Sequence, residues 1–266
     1  MTQDPSITAQ HTAREIGDHP VVEKGARLGF AVSGLIHLLI GWLALKIAWG
    51  LGGSSADKSG ALETVADGST GPFLLWLAVI GFALLALWQV TEAVVGRHGG
   101  EAKDRAKAAG KAAMYTFFAY SAFAVTKGAV SSDEKKTDEA TAGLLSSPGG
   151  RVLVGLLAVA ILATAAYHLH KGWTKGFLEE LESHPGTWAE RLGRAGYLAK
   201  GVALAVVGVL FGSAALSSRA AEAGGLDAAL KTLRDQPFGP FLLTVVALGF
   251  VAAGLYSFVK ARHAKL

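Results

Sequence analysis

Six stretches of this chain stay mostly apolar for roughly 20 residues each, long enough as helices to cross a hydrocarbon core about 30 Å thick. They run over Leu28–Trp49, Pro72–Val95, Ala108–Val130, Val152–Leu169, Ala195–Leu216 and Pro240–Val259. Inside lipid every backbone amide needs a partner within the protein, and nothing here alternates apolar and polar residues as a barrel strand does. The runs therefore predict transmembrane helices. The third and fourth are the least regular: Lys111 and Lys127 lie near the ends of one, and the other is short. The first run is longer than a signal-peptide core and follows a polar start, which predicts a retained span rather than a cleaved leader.

The runs are also copies of one another. Ala61-Leu62-Glu63-Thr64-Val65-Ala66-Asp67, the turn Gly71-Pro72, Phe73-Leu74-Leu75 and Gly81-Phe82 return 168 positions later. There they read Ala229-Leu230-Lys231-Thr232-Leu233-Arg234-Asp235, Gly239-Pro240, Phe241-Leu242-Leu243 and Gly249-Phe250. Pro148, Gly150, Leu153 and Tyr167 mark a copy between them. A short amphipathic segment, of the kind that lies in a membrane interface, feeds a long apolar helix in each unit. Two spans per unit is an even number, so every unit enters from the same face. The predicted fold is all-α: six transmembrane helices as three parallel two-helix repeats around a pseudo-threefold axis. The repeats cover 21–98, 99–177 and 178–266, after a loosely ordered tail over 1–20.

Charge supplies the orientation. Fifteen Lys and Arg fall before the first span, in the second and fourth connections and in the C-terminal tail, against eight in the other connections. By the positive-inside rule both termini are cytoplasmic. The net charge of +4 thus reads as topology and attraction to anionic lipid, and no nucleic acid is expected. Expected partners are the lipid bilayer and a membrane protein or a second copy of the chain. Cysteine is absent, which excludes disulfides and thiolate chemistry.

Spans one and five begin alike, with Arg27-Leu28-Gly29-Phe30 and Arg194-Ala195-Gly196-Tyr197. Arg27 and Arg194 suit the headgroup level, with Phe30 and Tyr197 anchoring at the boundary. The second repeat enters through Arg105 to Lys111 without that aromatic, and Tyr115 follows one turn later. Gly34 and Gly41, like Gly201 and Gly208, lie seven apart and share a helix face, and Gly212 adds a small-residue step. In the second repeat Met114 and Ser121 stand at the corresponding places.

These entries, their glycines and the Pro237-Phe238-Gly239 turn resemble a family of bacterial membrane proteins, common in actinobacteria and catalogued as a domain of unknown function, over roughly residues 20–262. The resemblance implies three tandem two-helix repeats and transfers no activity.

His37 is the sharpest polar candidate, mid-span between Gly34 and Gly41 on the face turned to other helices; ionisable groups in a membrane mark functional sites or buried hydrogen bonds. Gln89 and Glu92 end the second span, and Glu92 aligns with Lys171 and Lys260, suggesting an ion pair or part of a cation path. His168 and His170 raise haem or metal ligation, but residues two apart on a helix diverge by about 200°. The nine candidate tryptophans and tyrosines, Trp42 to Tyr256, read as interface anchors. No phosphate loop, nucleophile elbow or metalloprotease motif is present. No catalytic residue, metal set or cofactor is assigned, and a non-enzymatic membrane bundle that is structural or binds lipid or protein is the leading expectation. A small channel or transporter near His37 and Glu92 is the first alternative, and a histidine-based electron carrier the second.

Overall fold

A computed structural model describes residues 19–51, 55–66, 71–95, 102–128, 141–219 and 222–265. The expected tail over 1–20 therefore falls almost wholly outside the described residues. Among the described residues there is no strand. The helices include α1 (Pro20–Ala48), α2 (Lys58–Ala66), α3 (Gly71–Val95), α4 (Ala102–Thr126), α5 (Pro148–Thr174), α6 (Thr187–Ser217), α7 (Leu226–Arg234) and α8 (Gly239–His263). A 3-10 turn at Gly176–Glu180 sits between α5 and α6.

Five of the six expected spans are long and apolar enough to cross a membrane: α1, α3, α5 from Gly149, α6 and α8. The third, α4, has 25 residues but is not apolar enough. Lys103, Asp104, Arg105, Lys107 and Lys111 crowd its first turns, and a charge near a span's centre costs about 2.5–3.5 kcal/mol.

Two compact units form, and neither follows the repeat boundaries. One comprises the described residues within Met1–Ser33, Val65–Ala129 and Lys260–Leu266, and the other those within Gly34–Thr64 and Val130–Val259. In the first, Val22, Ala26, Phe30, Leu85, Trp88 and Ala264 form a core, and Phe82 of α3 meets Tyr115 and Phe118 of α4. In the second, α5 packs along α6 around Val154, Ala158, Val207 and Phe211. Large apolar side chains point outward in both: Trp42, Phe73, Trp76, Val152, Val159, Phe241 and Val245 are all exposed. Large apolar side chains exposed along a long helix are what it presents to lipid.

The copied turns build the starts of α3, α5 and α8. A Cβ at Gly71, Gly150 or Gly239 would collide with the carbonyl of Val65, Leu144 or Arg234 respectively. Glycine at that place lets each long helix begin beneath the preceding helical turn. Ser147 caps α5, its hydroxyl accepting the Gly150 N–H at 3.1 Å with Pro148 in the first turn. The short helices expected at the lipid interface cover their apolar faces with protein instead. Ala61 and Leu62 of α2 and Ala229 and Leu230 of α7 are buried. Asp227, 1% exposed, accepts the Ala56 N–H at 2.7 Å and pairs with Lys231 at 2.6 Å, which ties α7 to the segment entering α2.

Candidate functional site

The glycine faces are contact faces. A Cβ on Gly34 would lie 2.9 Å from the Gly254 carbonyl oxygen, and one on Gly254 2.8 Å from that of Gly34, so α1 and α8 cross backbone to backbone. Gly41 is held against Ala247 and Val251 of the same helix. Gly201 and Gly208 sit against Leu169 and Leu162 of α5. Gly212 has room: a Cβ there would be 3.9 Å from Ala158 Cβ, an ordinary contact. A second set, not singled out from sequence, closes hairpins: Gly29 against Gly81, and Gly196 against Ala253. His37 stands half-buried on the α1 face turned to α8, its ring 6.3 Å from Phe250 and tilted 18° from parallel.

The helix ends carry a polar pattern. At the start of α1, Arg27 donates to the carbonyls of Ala261 (3.3 Å) and Arg262 (2.7 Å), in the last turn of α8, while Glu23 takes its other edge at 3.0 Å. At the start of α4, Arg105 donates to Ala93 (2.9 Å) and Val94 (3.1 Å), in the last turn of α3. Ala93 and Val94 lie 168 positions before Ala261 and Arg262, the offset of the repeat itself. Each guanidinium therefore satisfies carbonyls that a helix end leaves open, and places positive charge at the negative end of its dipole. Arg27, expected to anchor at the headgroup level, divides its donors between these helix carbonyls and Glu23. Arg105 was missed as a site residue, although it stands where Arg27 and Arg194 do. Arg194 departs from the pattern, its guanidinium lying 5.2 Å from the ring centre of Trp173.

Beside these arginines, an ammonium lies over an aromatic ring. Lys260 of α8 stands 4.8 Å from the ring centre of Phe30 in α1, and Lys171 of α5 stands 5.2 Å from that of Tyr197 in α6. Lys171 also pairs with Glu180 and sits over Tyr167. The fully buried Phe177 of the 3-10 turn stacks on Tyr197, and the Tyr256 hydroxyl donates to its carbonyl at 3.1 Å. Phe30 is buried and Tyr197 half-buried, each ring packed against a neighbouring helix and an ammonium. Trp88 and Tyr256 are buried, whereas Trp42, Trp49, Trp76 and Trp173 are exposed. The ion pairing of α5 is to Glu180 of the next connection, a partner the sequence alignment did not suggest.

Gln89, Thr91 and Glu92 are buried near the end of α3. His168 is half-buried between Tyr167 and Tyr197, its Nδ1 2.9 Å from the Thr164 carbonyl. Among the described residues no three His, Asp or Glu side chains converge as a metal site. What the arrangement does chemically is hold helix ends: cations on carbonyls and rings, glycines where backbones cross.

Over 253 residues the chain is 29% identical to "Uncharacterized protein YxxB" of Bacillus subtilis (strain 168), which covers 91% of this chain and 90% of that protein. No solved structure matches it. One family model matches three times, over residues 28–96, 106–175 and 195–264. Each match begins one residue after Arg27, Arg105 or Arg194 and ends four after Glu92, Lys171 or Lys260, so the junction groups recur at fixed places in the repeat. The family is described as Domain of Unknown Function (DUF1206), and with three copies spanning most of its length this chain belongs to it.

Proposed function

We propose that the chain is a non-enzymatic integral protein of the bacterial cytoplasmic membrane, a structural bundle that binds lipid or protein partners through its outer surface. The observation that carries this reading is where its groups are spent. Polar and cationic side chains at the helix ends engage carbonyls, rings and one another, while the outward faces are large and apolar. The test is fractionation: the chain is expected to stay with membranes through alkaline carbonate washing and to enter solution with detergent. Monodisperse protein in plain buffer would overturn it.

A channel or transporter is the second reading, favoured by the buried Gln89, Thr91 and Glu92 at the end of α3. Proteoliposomes would then show an ion flux that Glu92→Gln abolishes. Wild-type vesicles as tight as protein-free ones would remove this reading.

A further inference from the structure

Three arginines open the first helices of the three repeats, yet only two are committed to carbonyls. The helix that Arg194 would close, α5, ends differently. Lys175 turns the backbone into the left-handed region (φ 61°), and the chain continues at once into the 3-10 turn, with the Leu178 N–H bonded to the Lys175 carbonyl at 3.0 Å. With that end built from its own backbone, the guanidinium is released to Trp173, whose ring is 69% exposed. One turn earlier on α6 the arrangement repeats: Arg191 lies 5.8 Å from the ring centre of Trp188, itself 75% exposed.

We propose that Trp173, Trp188, Arg191 and Arg194 form a site for the phosphate headgroup of an anionic phospholipid. The charges around it leave these two cations available. Glu190 pairs with Lys175 at 2.6 Å and lies 3.6 Å from His184, and Glu180 pairs with Lys171. Glu179 and Glu182 lie on the connection, outside the four residues of the site. Among the described residues, neither Arg191 nor Arg194 has a carboxylate in ion-pair range. An exposed indole at a span's end sits at headgroup depth, and a guanidinium held over it presents its donor edge to a phosphate in a two-pronged geometry. Two such pairs on adjoining helix ends give a site for one headgroup, with the exposed apolar rows of α5 below it for the acyl chains.

The inference rests on the membrane reading and is tested on the full chain by native mass spectrometry from detergent. Phosphatidylglycerol is titrated against phosphatidylcholine of the same chain length. The wild type is expected to retain phosphatidylglycerol preferentially. At about five-fold per arginine, Arg191→Gln and Arg194→Gln together weaken retention about twenty-five-fold. Arg105→Gln, whose guanidinium is occupied by carbonyls, leaves retention unchanged. Equal retention of the two lipids, or undiminished phosphatidylglycerol on the double variant, would overturn the site while the chain remained detergent-dependent. A chain that needed no detergent would fail the membrane reading instead. Should the double variant not fold, Arg191→Gln alone, at an exposed side chain, decides the matter.

Discussion

At Gly34 the backbone of α1 meets that of α8 with no side chain between them, so Gly34→Val forces its own methyls onto the Gly254 carbonyl. Overpacking of that kind costs about 1–3 kcal/mol, read as a lower thermal midpoint in micelles. Gly212→Ala, whose Cβ would make an ordinary 3.9 Å contact with Ala158 Cβ, is expected to hold or raise the midpoint, by up to about 1 kcal/mol. The same glycine spacing thus conceals two different demands. A second residue-scale expectation concerns acid. Glu222, after α6, accepts from the hydroxyls of Ser213 (2.5 Å) and Ser217 (2.9 Å), with Arg219 at 3.6 Å. Those bonds, Ser213's foremost, hold its carboxyl below the ordinary carboxylate range. A depressed native pKa gives stabilisation that is complete above the unfolded value, about 4.3, and is lost as pH falls through the native one. A carboxyl-carbon NMR titration should find Glu222 protonating below free glutamate, and Ser213→Ala should move it upward. An unmoved midpoint in Ser213→Ala would assign the depression to another group.

Among the elements, the helix ends are where one residue governs a whole segment. Arg105→Gln removes two donors and a cation from the end of α3 and is expected to cost about 1–2 kcal/mol. Amide exchange should quicken in the last turn of α3, and Arg105→Lys should recover only part, since an ammonium keeps the charge but not the fork. If exchange there were unchanged, the clamp would be a contact without energetic weight. The 3-10 turn depends on Phe177, buried between Tyr197 and Tyr256 and pressed on Gly193. Phe177→Ala should cost about 3–5 kcal/mol on denaturant unfolding and loosen the Lys171–Glu180 pair with it.

For the molecule as a whole the open quantity is orientation, and the absence of cysteine makes it directly measurable. Leu51→Cys, past the end of α1, and Lys265→Cys, past the end of α8, each give a single thiol in the full chain. A membrane-impermeant maleimide on intact cells is expected to label the first and spare the second until the cells are permeabilised. The reverse labelling would invert the charge-based topology, and labelling of both would break the even number of crossings per repeat. Here α4 matters most, since its charged first turns make it the helix least suited to crossing on its own.

The sequence by itself determined the apolar lengths, the 168-residue offset between Gly71 and Gly239, and the helical class, because these follow from local composition and period. It marked Arg27 and Arg194 as paired but pointed them at lipid, since position along a helix does not reveal which neighbour the side chain meets. It placed Arg105 at the second repeat's entry but gave it no role, because that entry lacks the aromatic that marked the others. Tertiary structure alone decided that Arg27 and Arg105 reach helix carbonyls while Arg194 turns to Trp173. It also decided that Phe30 is covered, that Asp227 reaches back to Ala56, and that Gly34 needs closeness which Gly212 does not. Each of these is a meeting of residues far apart in the chain, set by how helices cross and where they end, and no local pattern encodes it.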